Sequence, residues 1–381
     1  MMRKTLTTPT LQHLFDLLNG QVCFVGGAVR DVLMNRPVHD LDLTTPLTPD
    51  QVMDCLKNTD IRIYPTGIEH GTLTLAFTDK TTVEITSFRS DKQTDGRHAK
   101  VMFGTDIKQD ALRRDFTINA LYMDGQGKIL DFVGGLKDLK KKRLRFIGNP
   151  EKRIEEDALR ILRYFRFFAQ INPKKTDLSA LKACRKKRDL LDVLSKERIR
   201  DEMLKLLSVS DPQKALHFMV RTGVLKKIVG EYDLMALKGL LKKEKQAGFQ
   251  SDSWFRLWVL CKKQLPVWPM TRNQKKQASL WKKGSQMAFK TTQDFYTALY
   301  KLGKEAFLNM ILLKKERINF TSFRFYSGLI MPTIPFNAKD VAKIFNVKGK
   351  DLGEKLKLCE DFWLKMNRPA KKEVVFKKIL G

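Results

Sequence analysis

The 381-residue sequence predicts an α+β protein: a mixed β-sheet with helices over the first third, then helices alone. Two patterns carry that reading. Residues 61–64, 72–77 and 83–88 alternate or run apolar and are rich in β-branched side chains, which marks strands. Beyond Gly135 the apolar residues instead recur at helical spacing, one amphipathic segment after another. The charge divides at the same place. Residues 1–135 hold 15 Lys and Arg against 17 Asp and Glu, whereas residues 136–381 hold 57 against 25.

In chain order, residues 11–18 form a short amphipathic helix. The run Val22-Cys23-Phe24-Val25 is a buried strand that leads through Gly26-Gly27 into a helix over 28–34. Thr48-Pro49-Asp50 supplies a capping hydroxyl and a first-turn proline for a helix over 51–57. The polar stretch 90–103 is a loop, and Asp131-Phe132-Val133-Gly134-Gly135 closes the α/β part. Pro150 opens one long amphipathic helix to Gln170. Ser195 caps a helix that runs to about Leu207, and Asp211-Pro212 starts the next. Lysine-rich helices follow from about residue 235, and residues 336–380 form a last helical module.

A hydrophobic fraction of 43% supports real cores. Five scattered cysteines without a C-x-x-C argue against a disulfide framework or a zinc site and fit a reducing compartment. The N-terminal stretch has no apolar leader and no run reaches membrane-spanning length, so a cytoplasmic protein is expected. The net charge of +30 sits among helical apolar positions, as over 182–188, which points to a structured surface for a polyanion. A generally lysine-rich proteome would not leave the first third balanced.

Four constellations carry chemistry. Gly26-Gly27 at a strand-to-helix junction lets the backbone approach an anion, with free N–H groups at the helix start. Asp40 and Asp42 follow; on one strand the alternation puts both on one face, where they could share divalent cations that polarise a triphosphate. Glu84, on the strand 82–86, is either a third carboxylate of that group or an exposed strand glutamate. In Arg113-Arg114-Asp115-Phe116-Thr117-Ile118-Asn119, paired arginines offer donors to phosphate oxygens and the polar partners suit ribose hydroxyls. Finally, Asp157 and Arg160 are three apart on the expected helix, with Arg163 and Arg166 continuing the ridge. Cytosine and adenine each present an exocyclic amine beside a ring-nitrogen acceptor; guanine and uracil present the reverse. A carboxylate with a guanidinium therefore accepts C and A and leaves unpaired groups with G and U.

These motifs, with the loop Thr94-Asp95-Gly96-Arg97-His98 and the run Glu197-Arg198-Ile199-Arg200-Asp201-Glu202-Met203-Leu204, occur in family order. The sequence resembles the class II tRNA nucleotidyltransferases (CCA-adding enzymes) of the polymerase β superfamily and their bacterial poly(A) polymerase relatives, over about residues 20–205. The resemblance implies a catalytic nucleotidyltransferase head (1–137), a helical neck for base recognition (138–207), a helical RNA-binding body (208–330) and a helical tRNA-binding tail (331–381). It implies Mg²⁺-dependent addition of C, C and A to tRNA 3′ ends from CTP and ATP, with release of pyrophosphate. By the same resemblance, Asp40 and Asp42 hold the metals and, with Glu84, form the catalytic group. Gly26, Gly27, Arg30 and Arg114 contact the incoming nucleotide, and Asp157 and Arg160 form the base template with Arg163 and Arg166 beside it. The stretch 110–115 belongs to the same site.

Full CCA addition competes with CC-only, A-only and poly(A) addition. Asp95-Gly96-Arg97-His98 matches the loop element that CC-only relatives lack, and the short stretch before the first motif lacks the basic extension common in poly(A) polymerases. No second His-Asp cluster suggests an appended phosphohydrolase. A catalytically dead RNA-binding protein is the reading from a different class; the four residues Asp40, Asp42, Asp157 and Arg160 argue against it.

Overall fold

The computed structural model describes residues 6, 8–38, 40–90, 102–366, 368 and 371–380. Within these the chain divides into two compact units, residues 1–202 with 212–228, and residues 203–211 with 229–381.

The first unit opens on α1 (Pro9–Leu17), capped by the Thr8 hydroxyl, which buries Leu11, Leu14 and Phe15. Next come β1 (Cys23–Val25), α2 (Gly27–Leu33), β2 (Asp42–Thr45), α3 (Pro49–Leu56), β3 (Arg62–Gly67), β4 (Thr72–Ala76) and β5 (Thr82–Ser87). The short pair β6 (Arg89–Ser90) and β7 (Met102–Phe103) flanks the expected loop; its Asp95-Gly96-Arg97-His98 element lies outside the described residues. After α4 (Ile107–Leu112) come β8 (Leu121–Met123), β9 (Ile129–Asp131) and α5 (Gly135–Lys140). The main sheet has the order β3-β4-β5-β2-β1-β8-β9, and only β2 and β5 pair in parallel. A mixed sheet with helices was the expectation, and the sheet meets it. β8 is a central strand that the sequence pattern hides: its three residues are all buried, so nothing alternates.

Two sequence expectations need correction. Asp40 is not on the strand with Asp42; it occupies an exposed bend, and β2 begins at Asp42. The helix expected over 150–170 is two helices, α6 (Pro150–Glu156) and α7 (Leu159–Ile171). Asp157 breaks it. Its backbone is extended (φ −153°, ψ 107°) and its Oδ1 accepts from the Leu159 amide at 3.1 Å, the competing side-chain bond that makes aspartate a helix interrupter. An aromatic cluster seats α7: Phe116 and Phe146 lie 4.7 Å apart, Phe146 stacks on Tyr164 at 5.6 Å, and Phe116 meets Phe167 edge-on at 5.5 Å. α8 (Leu178–Lys186), α9 (Lys196–Leu207), α10 (Gln213–Arg221) and α11 (Val224–Val229) complete the described helices of this part of the chain.

The second unit contains α12 (Leu234–Ala247), α13 (Ser253–Leu260), α14 (Arg272–Gln286), α15 (Thr292–Leu302), α16 (Lys304–Lys314), α17 (Phe320–Gly328), α18 (Ala338–Phe345), α19 (Gly349–Lys365) and α20 (Lys372–Leu380). Its buried ion pair Arg256–Glu244 is fully partnered: Arg256 Nη1 also donates to the carbonyls of Leu207 (2.6 Å) and Val209 (2.7 Å). Phe336, Val341, Trp363, Val375 and Phe376 form a separate small core for the last three helices. All five cysteines are free, and no described helix is long and apolar enough to cross a membrane.

Candidate active site

Gly26 follows β1 directly, and its φ of 68° and ψ of −120° suit glycine alone. No side chain caps α2, so its first-turn N–H groups are without a capping side chain. Two guanidiniums flank this turn. A Cβ on Gly26 would lie 3.6 Å from Arg114 Nη1, and one on Gly27 would lie 3.8 Å from Arg30 Nη2. The turn thus presents backbone donors and positive charge together, which is what an anion needs.

The carboxylates lie on the adjoining strands. Asp42 is the register partner of Glu84 across the parallel β2–β5 pair, and the Glu84 amide donates to the Leu41 carbonyl at 2.9 Å. Burial raises the Asp42 carboxyl above its ordinary range; the negative charges of Glu84 and Asp40 add to this, while Arg114 and Arg30 oppose it. Among the described residues no three His, Cys, Asp or Glu side chains gather closely enough to cage a metal ion. Two carboxylates with spare negative charge nevertheless fit a hard cation such as Mg²⁺, which takes one or two carboxylates and fills its other positions with water and substrate phosphates.

Arg113 and Arg114 both turn to Asp110, a fully buried carboxylate on α4. Arg113 Nε donates to it at 2.8 Å, Arg114 Nε at 3.1 Å and the Tyr122 hydroxyl at 2.8 Å. Burial opposes its charge, but Arg114, Arg113 and Tyr122 prevail and hold the carboxyl below its usual range. Arg114 is thereby anchored behind the glycine turn.

Arg30 is buried and held by others. Its Nε and Nη2 donate to Asp31 (3.1 and 2.9 Å) and its Nη1 to Asn119 Oδ1 (2.7 Å). Asn119 Nδ2 donates to Asp115 (3.2 Å), and Arg163 Nε donates to the other Asp115 oxygen (2.6 Å). Arg166 pairs with Glu202 at 2.6 Å. Three of these guanidiniums surround one ring: Arg30, Arg163 and Arg166 lie 5.0, 5.3 and 4.0 Å from the centre of Phe167. Burial, with Arg163 and Arg30 as like-charged neighbours, lowers the Arg166 guanidinium although Glu202 opposes the change.

Asp157 and Arg160 do not pair with each other. Arg198 Nη2 contacts both Asp157 oxygens, at 3.1 and 3.0 Å. Arg160 donates instead to Glu156, to the Arg153 carbonyl (2.9 Å) and to the Arg113 carbonyl (3.4 Å). The guanidinium keeps its Nε–H and one Nη2–H without a protein partner among the described residues. Sequence reasoning gave no role to Arg198, Glu202, Phe167 or Asp31, although Arg198 and Glu202 lie in the motif run 197–204. The spacing of Arg198 and Glu202, four apart on α9, was the available signal; Phe167 reads as an ordinary core aromatic.

A glycine turn between two arginines, beside paired strand carboxylates, defines a nucleotidyltransferase-type head. Residues 22–145 match the family model described as poly A polymerase head domain, and residues 177–235 match the probable RNA and SrmB-binding site of polymerase A. Over these stretches the chain is similar to CCA-adding enzymes and poly(A) polymerases. It is 41% identical over 205 residues to the CCA-adding enzyme of Ligilactobacillus salivarius, an alignment that covers 53% of this chain and 49% of that protein. The chain spans about half the length of the curated relatives it matches. Its fold is similar to the Bacillus stearothermophilus CCA-adding enzyme in complex with CTP (TM-score 0.71, 23% identity, 97% and 95% of the two chains). It is also similar to the Thermotoga maritima CCA-adding enzyme complexed with tRNA (TM-score 0.63, 18% identity, 100% and 97%).

Proposed function

We propose that this chain is a template-independent nucleotidyltransferase that adds C, C and A to tRNA 3′ ends from CTP and ATP. The observation that carries this reading is the placement of Asp42 and Glu84 beside a Gly26-Gly27 turn flanked by Arg30 and Arg114. The triphosphate binds at the turn, against the α2 amides and Arg114. The RNA 3′-hydroxyl attacks the α-phosphorus in line; the new P–O bond forms as the bond to the β-phosphate oxygen breaks, and pyrophosphate leaves. Asp40 and Asp42 would hold Mg²⁺, which supplies charge neutralisation and Lewis-acid activation when bound. Asp157 accepts from the exocyclic amine of C or A while the free edge of Arg160 donates to the ring nitrogen; Arg163 and Arg166 hold the adjoining framework.

The basic helices beyond residue 137 take the tRNA, with 138–207 serving the base, 208–330 the RNA and 331–381 the tRNA body, and the protein works in the cytoplasm. A poly(A) polymerase is the second reading, favoured by the name of the matched head model. The test is an incorporation assay on tRNA transcripts ending before the tail, after C and after CC, with labelled CTP or ATP. Stepwise growth to one CCA end is expected, and Asp42→Ala is expected to abolish it while tRNA binding persists. A long A tract on any RNA would establish the second reading. Tight binding without incorporation would overturn both.

A further inference from the structure

We propose that Arg198 is a positioning residue for nucleotide selection, holding Asp157 apart from Arg160 so that both can face a base. The inference rests on the assignment of Asp157 and Arg160 to the incoming base. An aspartate and an arginine three residues apart beside one helix carry opposite charges and would satisfy each other, leaving nothing for a ligand. The structure prevents this with two outside partners. Glu156 and the Arg153 carbonyl take one side of the Arg160 guanidinium, and Arg198 takes the Asp157 carboxylate.

The remaining capacity fits the recognition problem. A carboxylate offers about four lone-pair sites. On Asp157, Oδ1 accepts from the Leu159 amide and from Arg198, and Oδ2 accepts from Arg198 alone, which leaves Oδ2 able to take one further donor. An exocyclic amine supplies one. The side chains are 33% exposed at Asp157 and 48% at Arg198, so a nucleotide can reach them, and a pair this exposed is screened by solvent. Its contribution to folding is therefore small, and orientation is what it provides.

α9 is built for the task. Arg198 sits in its first turn, where its amide lies 3.4 Å from the Ser195 hydroxyl. One turn on, Glu202 is buried and grips Arg166, with Arg163 Nη1 at 4.0 Å. The same face of α9 thus fixes α7 through Arg163 and Arg166, and Asp157 two residues before α7 through Arg198. Without Arg198, Asp157 keeps only the Leu159 amide and turns to the nearby Arg160 or to Arg163, whose guanidinium already feels its charge.

The test compares the full chain with Arg198→Ala, Arg198→Lys and Asp157→Ala, measuring KM and kcat for CTP and ATP and incorporation of UTP and GTP. Arg198→Ala is expected to raise KM for CTP and ATP about tenfold with a smaller change in kcat, and to reduce selection against UTP and GTP by a similar factor. Arg198→Lys is expected to recover part of both, and the melting temperature of all three variants is expected to stay within a few degrees of the parent. Wild-type KM and selectivity in Arg198→Ala, with Asp157→Ala impaired, would overturn the role of Arg198 alone. Unchanged selectivity in Asp157→Ala would instead remove the base assignment on which it rests.

Discussion

Arg30 Nη1 lies 2.7 Å from Asn119 Oδ1, joining the helix after the glycine turn to a 3-10 turn 89 residues later. Asn119 serves two masters: its carbonyl oxygen accepts from Arg30, and its amide donates to Asp115, which in turn holds Arg163. The glycine turn and the helix that begins beside Asp157 are therefore coupled through one buried amide.

Asn119→Ala is expected to leave the Arg30 guanidinium short of an acceptor and Asp115 short of a donor. Hydrogen bonds to charged groups contribute about 1.5–3 kcal/mol, and the loss is expected to fall in that range by urea unfolding. Steady-state kinetics should show KM for both nucleotides raised several-fold. Asn119→Asp, which would place a second carboxylate against Asp115 while still accepting from Arg30, is expected to be worse than alanine in selectivity but not in the Arg30 contact.

Gly135 controls the same turn from the other side. Asp131 gathers the amides of Val133, Gly134, Gly135 and Leu136 at 2.9–3.2 Å, which brings Gly135 against the chain at Thr117. A Cβ there would lie 2.2 Å from the Thr117 carbonyl oxygen, a contact no rotamer relieves. Gly135→Ala is expected to displace the Thr117–Asn119 turn and to destabilise the chain by about 1–3 kcal/mol, as overpacking does. The measurement is thermal unfolding alongside nucleotide KM; a variant with parent values of both would refute the coupling. Gly134→Ala provides the contrast, since its φ of 79° is strained for alanine yet nothing lies within 4 Å of the added carbon.

Much of this was legible in the sequence because it rests on short-range chemistry. The glycine pair, the strand aspartate, the Asp131 turn and the capped helices each announce themselves through residues a few positions apart. What was hidden depends on long-range placement. β8 has no alternation to read because both its faces are buried. The break at Asp157 depends on a side-chain cap competing with an otherwise continuous helical pattern, and the partner that Asp157 takes, Arg198, is 41 residues away. Arg113 and Arg114 look like free phosphate ligands in sequence, whereas the fold spends much of their hydrogen-bonding capacity on Asp110.

Asp110 gives the acid side of stability its shape. Its carboxyl is held below the usual range in the folded chain, against an ordinary value near 3.9 when unfolded. A lowered folded value means that the stabilisation is complete above the unfolded value and fades as pH falls through the folded one. The Asp110→Asn variant is expected to lose stability at neutral pH, because Arg113 and Arg114 lose their counter-charge, and to converge on the parent as pH drops below about 4. Urea midpoints measured from pH 7 to pH 3 check this; a constant gap across that range would show that the charge is not the cause.

Asp42 obeys the opposite sign. Burial and the nearby Glu84 raise its carboxyl, so folding makes its ionised form more costly than it is in the unfolded chain. The favourable contribution is present below the unfolded value and is lost as pH rises through the raised folded one, leaving an ionised, crowded carboxylate at neutral pH. The neutral isostere removes that repulsion. Asp42→Asn is thus expected to melt about 2–4 °C higher than the parent at pH 7 in the absence of divalent cations, with the advantage vanishing near pH 4. The same variant is expected to incorporate neither CTP nor ATP, and adding Mg²⁺ with nucleotide should narrow the gap by stabilising only the parent. A lower melting temperature in the cation-free variant would mean that Asp42 is a structural acceptor, and would separate its place in the fold from a role in the chemistry.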